Sequence, residues 1–370
     1  MTRELEPAIA DRLIELARRL VDQRNARVLV PPYENASGFW FGGGDLMQLD
    51  DGGFVLVGRY RNVGDSRTGL AAGERGLECA LLRAPAFAGP YEKCKSFSKA
   101  DLAVAGKTVT SIEGTAFRRT ADGFELFVSS EKDVAYPEAV REYQKPGTGV
   151  WSIDAIAAGS IDELDAASIR EVLASDEPAS LHVKDPVLVD DGGGETRVLF
   201  CIHPFAWSSS STGLAVRGAG EGRFRIVSDC VLPRGPVWDV AAARVTDRLR
   251  VPRLGALRDL PPLSLYFYDG AECLRRHEAG AAAVQRPRGW SCEEIGGMAW
   301  CFDADFPHLR RLSVHFPLFV SPHGTGCSRY VSTLATADAV YATWQQSQGD
   351  ESQPLVGHGL PMERVEQILQ

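Results

Sequence analysis

The sequence predicts an all-β chain folded as a five-bladed β-propeller, with an N-terminal amphipathic helix and a short C-terminal helix. Three observations predict it. Five extended apolar segments open 54 to 72 residues apart: GGGDLMQL with Asp45, TSIEGTAF with Glu113, VKDPVLV with Asp185, VWDVAAARV with Asp239, and GGMAWCF from Gly296. Short strand-like runs separated by turn chemistry, such as Asp50-Asp51-Gly52-Gly53 and Ala121-Asp122-Gly123, fill the intervals. Four of the five segments carry an acid near their start. A repeated unit of several strands must stack on its neighbours to bury its faces, which is the logic of a propeller. Its innermost strands line the channel, so acids at equivalent places in successive units meet there and shift one another's pKa values.

The elements follow in order. Leu5, Ile9, Leu13, Leu16 and Leu20 recur at helical spacing within residues 5–24, predicting an amphipathic helix that packs on the rim of the ring or on another subunit. From Gly38 the period becomes two. GFWFGGGDLMQL, GGFVLVGRYRN and LECALLRA read as a meander, and TSIEGTAFRRT with FELFVSSE repeats it. Ser160 and Glu163 match a capping box ahead of Leu164, Ile169 and Leu173, predicting a helical insertion over 160–174. VKDPVLV, TRVLFCIHPF, GLAVRG and RFRIVS make a third unit. VWDVAAARV, LSLYFYDG and AECLRRHE make a fourth, and GGMAWCF, RRLSVHFPLFV, SRYVSTLA and AVYATW a fifth. The domain reading is a helix over 1–26, a catalytic propeller over 27–345, and a polar tail with a helix over 346–370. Pro and Gly are spread between strands instead of gathered in a linker, as suits one closed ring.

Charge and composition exclude several function classes. The net charge of −9, pI near 5.4 and lack of a Lys/Arg-rich run argue against nucleic acid or an anionic membrane as partner. No apolar stretch approaches a membrane span, and the first twenty residues alternate charge with apolar side chains, so a soluble cytoplasmic protein is expected. Eight cysteines without a CxxC pair read as reduced thiols. HExxH, EF-hand and GxSxG patterns are missing from the sequence, so neither a catalytic metal nor another cofactor is required.

Candidate site residues come from the repeated segments. Asp45 follows three glycines that let a ligand approach the backbone. Glu113 alternates with Ile112, so if Ile112 packs between blades Glu113 faces the channel. Asp185 precedes Pro186, which favours an extended backbone there, and alternation keeps Lys184 from simply pairing with it. Asp239 is the fourth acid. Trp40, Trp207 and Trp238 offer flat surfaces for a sugar face, and Arg59 and Arg61 offer donors to hydroxyls. His203 and His323 both follow apolar strands.

The spaced acids, the Asp-Pro before an apolar strand, and IEGTAFRRTADGFELFVSS together resemble the five-bladed propeller glycoside hydrolases of families 43, 32, 117 and 130, over about residues 38–345. The resemblance implies Asp45 as general base, Asp185 as the residue that orients and tunes, and Glu113 as general acid. In family 43 the Glu-Gly segment follows the Asp-Pro segment, the reverse of the order here, which leaves Asp239 as the alternative acid. It further implies that Trp40, Arg61, His203, Trp207 and Asp239 contact substrate, and that His323 faces a central calcium or other structural ion. The expected activity is hydrolysis of a small oligosaccharide or glycoside from one end, since two carboxyl groups, one protonated and one ionised, suffice for that chemistry. Two alternatives accompany it: a phosphorylase like family 130 with Arg59, Arg61, Arg119 and Lys132 around phosphate, and a non-catalytic propeller that binds a sugar or a protein. Self-association through the N-terminal helix is also expected.

Overall fold

The computed structural model describes residues 4–61, 75–144, 147–189, 194–205, 209–273 and 293–370, and every statement below concerns these. Five antiparallel sheets form the blades of a propeller. The first blade holds β2 (Trp40–Gly42), β3 (Leu46–Gln48), β4 (Phe54–Arg61), β5 (Glu78–Ala84) and β6 (Glu92–Ser98). The second runs β7 (Val109–Thr120), β8 (Gly123–Lys132), β9 (Val150–Ala158) and β10 (Arg170–Leu173). The third is β11 (Lys184–Leu188) to β14 (Arg225–Ser228), by way of β12 (Thr196–Ile202) and β13 (Ser211–Arg217). The fourth is β15 (Ala242–Arg250), β16 (Leu263–Ala271), β17 (Ile295–Phe302) and β18 (Arg310–Arg311).

The fifth blade closes the ring. Its β19 (Ser328–Ala335), β20 (Ala339–Gln346) and β21 (Leu355–Pro361) are completed by β1 (Arg27–Val30), which pairs Arg27 with Gly357 and Val30 with Leu355. One sheet thus contains both ends of the ring, and opening it requires breaking a ladder.

Apolar clusters occupy the junctions between blades. Val57, Leu81, Ile112, Leu126 and Val128 join the first two blades, Phe127, Ile153, Val198 and Phe200 the second and third, and Leu199, Leu214, Tyr266 and Tyr268 the third and fourth. Helix α1 (Pro7–Leu20) buries Leu13, Leu16 and Leu20 completely, against blades four and five and against α2 (Met362–Leu369). Pro7 starts it, and Arg18 and Arg19 face the negative end of its dipole. Its apolar stripe is therefore covered within the chain.

Three details differ from the sequence reading. GGMAWCF is β17, the third strand of blade four, and the innermost strand of blade five is SRYVSTLA. Both segments carry the same alternation, because every strand of a blade packs on neighbours, so pattern alone could not tell inner from outer. The helix expected over 160–174 is absent: Asp165 caps a single short turn at Ala166–Ser168, and β10 follows with Val172 and Leu173 buried. Pairing with β9 wins over the local capping signal. β21, which belongs to blade five, lies beyond the boundary expected at 345. Finally, AECLRRHE lies mostly outside the described residues.

Candidate active site

Every inner strand interrupts its ladder at the same level of the ring. The register shifts between Ile112 and Thr115 in β7, Lys184 and Val187 in β11, Val245 and Asp247 in β15, and Arg329 and Ser332 in β19. In blade one the inner strand divides there into β2 and β3, around Gly43 to Asp45. Bulges release backbone groups from pairing and re-aim side chains. Three of them hold left-handed backbone, at Gly43 (φ 74), Asp185 (φ 52) and Tyr330 (φ 53). For Asp185 and Tyr330 this is a strained state that the surroundings must enforce. Asp185 therefore departs from the extended geometry its proline suggested.

A recess on the ring axis sits at these bulges, lined by Gly43, Asp45, Gly114, Asp185, Arg244 and Tyr330 among others. Its empty space is about 390 Å³ with the open mouth included, and it narrows toward the floor. The floor has room for about one or two waters.

Carboxylates satisfy the donors that the bulges release, and each reaches a neighbouring blade. Asp185 Oδ1 accepts from Gly114 N at 2.8 Å, and Asp45 Oδ2 accepts from Phe117 N at 2.8 Å. Asp269 accepts from Tyr330 N at 3.1 Å, and Asp247 Oδ2 accepts from Thr333 N at 2.7 Å. A Cβ on Gly114 would stand 2.5 Å from Asp185 Oδ1, so the Glu-Gly motif exists for this contact. Asp185 Oδ2 is buried and without a partner.

Asp45 and Asp185 line one recess, and Glu113 adjoins it through Gly114. They are staggered. Asp185 meets the backbone at Gly114 and Asp45 meets it three residues further along β7, roughly 10 Å at about 3.3 Å per residue.

The charge states invert the roles that the resemblance implied. Burial, and then the neighbouring Asp247, push Asp45 up to about 7, against the hydrogen bonds from Phe117 and Ser332. Asp247 is pushed up to about 6 by burial, and Asp269 to about 8 by burial and Glu294. Glu113 is also buried, but Lys184, Arg59 and Arg61 outweigh burial and hold it down at about 2. Ser111 Oγ donates to its Oε1 at 2.8 Å. At neutral pH Asp269, which also lines the recess, retains its proton, Asp45 is divided between its two forms, and Glu113 is ionised.

Other expected residues fall elsewhere. Asp239 is fully buried in an ion pair with Arg311 (2.8 Å) and accepts from Tyr268 Oη (3.0 Å), a strut within blade four. Trp238 stacks on Tyr268 in the core. Trp40 is buried beneath two guanidinium groups, Arg61 at 4.5 Å and Arg329 at 4.6 Å, so its faces hold cations. His203 bonds the Ser209 carbonyl at 2.7 Å and packs near His182. Trp207 lies outside the described residues. His323 is exposed on the loop before β19, away from the residues that line the recess, and no group of three or more His, Cys, Asp or Glu is arranged for a metal among the described residues. Lys132 is locked to Asp154, and Arg119 pairs with Asp50 at the exposed end of β7, so neither joins Arg59 and Arg61. Cys94 and Cys230 are exposed, and no disulfide joins the described cysteines.

Sequence reasoning missed Arg244, Asp247, Asp269, Glu294 and Tyr330. The legible signal was charge inside otherwise apolar strands, as in AAARVTDRLR and LSLYFYDGA.

No protein-family model and no curated protein matches this chain. Solved structures do. A glycoside hydrolase aligns with a TM-score of 0.59 at 10% identity, covering 96% of each chain. The α-L-arabinofuranosidase of Lactobacillus brevis aligns at 0.53 and 9% identity, over 91% of this chain and 93% of its own. A structure from the GH130 family, in which mannoside phosphorylases stand beside glycoside hydrolases that target β-1,2 mannosidic linkages in Candida mannan, aligns at 0.50 and 12%, over 90% and 92%. The chain has the fold of the five-bladed propeller glycoside hydrolases. The likeness is one of fold, and no helix among the described residues is long and apolar enough to cross a membrane.

Proposed function

We propose that this propeller is a glycoside hydrolase acting on one end of a small oligosaccharide or glycoside, with Asp45, Glu113 and Asp185 as its reacting carboxyl groups. The observation that carries the reading is the pair of opposite charge states beside one recess: Asp45 pushed up to about 7 and Glu113 held at about 2. Glycoside hydrolysis needs one carboxylic acid to protonate the leaving oxygen and one carboxylate to activate water or attack. Asp45 takes the acid's role. Asp185, whose Oδ2 is open beside the recess, takes the base's role toward a water on the floor. Glu113 contributes fixed negative charge, which favours the oxocarbenium-like transition state. A recess on the axis, in place of a groove across the face, suits the end of a chain. That is the basis for exo action.

The test is hydrolysis of a panel of nitrophenyl glycosides by wild type, Asp45→Asn, Glu113→Gln and Asp185→Asn. Activity should fall about 10²- to 10⁴-fold without the proton donor, and NMR of the first product reads whether the anomeric configuration is retained or inverted. Equal turnover by all four proteins would overturn the assignment.

A further inference from the structure

We propose that the recess recognises a sugar bearing a carboxylate, held by Arg59, Lys184 and Arg244; this rests on the hydrolase reading above for the site it occupies. Arg59 is 2% exposed, yet its nearest acceptors are Tyr330 Oη at 3.5 Å and Glu113 Oε2 at 3.7 Å. Both are long for charge-assisted bonds, which run near 2.7–2.9 Å. Its Nε and Nη1 have no partner among the described residues. The guanidinium stands 3.5 Å from where a Cβ on Gly43 would be, and Gly43 lines the recess. Leaving a buried charged donor unpaired is costly, so something outside the chain completes it.

Arg244 lines the same recess from blade four, and its Nε is likewise buried without a partner. Lys184, from blade three, lies over the Trp151 ring at 5.6 Å and forms no ion pair among the described residues. Arg244 thus brings an open donor to the recess wall, Arg59 stands directly behind Gly43, and Lys184 acts through its charge on Glu113 and Asp185. Around them cations are in the majority: Arg59, Arg61, Arg75, Lys184, Arg244 and Arg329 face Glu113, Glu131, Asp185, Glu294 and a part-ionised Asp45, in a chain of net charge −9. Asp269 adds little, since burial and then Glu294 push it up to about 8.

An anion is the complement of such a site. Under the hydrolase reading the ligand is a sugar, and the anionic group that a sugar ring itself carries is a carboxylate, which accepts from guanidinium and ammonium donors in charge-assisted hydrogen bonds. A uronic acid carries that charge on the rim of its ring, leaving the anomeric side free for Asp45.

Calorimetric titration with D-glucuronate and D-galacturonate, against glucose, galactose and inorganic phosphate, tests this. The uronates should bind about tenfold or more tighter than the neutral sugars. That advantage should vanish in Lys184→Met and Arg59→Met, persist in Asp45→Asn, and shrink with added salt. Circular dichroism checks that the variants fold, and the salt series on wild type stands if Arg59→Met does not. Neutral sugars binding as tightly, or phosphate binding where uronates do not, would overturn the proposal. Uronate binding without hydrolysis of any nitrophenyl glycoside would sink the hydrolase reading alone. Hydrolysis of neutral glycosides untouched by Lys184→Met would sink this one alone.

Discussion

The two halves of the funnel treat buried carboxylates in opposite ways. Toward the starts of the inner strands, Glu113 and Glu294 are surrounded by Arg59, Arg61, Lys184, Arg244 and Arg329, and both are held below the usual carboxylate range despite burial. Beyond the bulges, Asp45 and Asp247 have hydrogen-bond donors and each other, and burial pushes both up. Desolvation acts on all four in the same direction, so what separates them is the presence of a guanidinium or ammonium group. Asp269 marks the limit of the contrast: it stands beside Arg244 and Arg329, yet burial and then Glu294 push it up to about 8.

Breaking the cationic half should have the largest effect. In Arg244→Met, Glu294 loses a partner and remains mostly buried, which should cost about 3–5 kcal/mol by denaturant unfolding. A loss under about 1 kcal/mol would mean that Arg329 alone neutralises it. Gly114→Ala attacks the seam between the halves: its Cβ would press on Asp185 at 2.5 Å, costing about 1–3 kcal/mol and displacing the carboxylate. Activity should fall further in this variant than stability does.

Acidity sharpens the contrast. Asp45 and Asp247 have folded pKa values raised above the unfolded value near 4, so their contribution to stability is fully present below that value and is lost as pH rises through about 6 to 7. Glu113 works the other way: its contribution is present above about 4.5 and lost as pH falls toward 2. The melting temperature should decline between pH 5 and 8, and Asp247→Asn should flatten that decline while lowering the alkaline limb of any activity profile governed by Asp45. An unchanged slope would contradict the coupling of the two aspartates. The smallest effect expected is for Tyr330→Phe, which removes a 3.5 Å hydrogen bond to Arg59 and should change stability by about 1 kcal/mol or less.

Much of the ring was readable from the chain itself. Alternation and turn residues marked the strands, and the Gly-Gly-Gly-Asp, Ile-Glu-Gly and Lys-Asp-Pro segments placed Asp45, Glu113 and Asp185 at inner-strand bulges. Asp239 failed because the acid precedes its inner strand by three residues, and Arg311, distant in sequence, claims it. Gly296 failed because an outer strand of blade four repeats the inner pattern. Trp40 was legible as an aromatic near the site, while the two cations that cover its ring come from β4 and β19.

The sequence alone determined that this chain would build small antiparallel sheets needing neighbours, because period-two apolar segments cannot bury both faces in isolation. Only the tertiary structure decided which acids stay protonated. Proton affinity depends on the desolvation and the charges within a few ångströms, and those neighbours are supplied by other blades, at distances no spacing along the chain encodes.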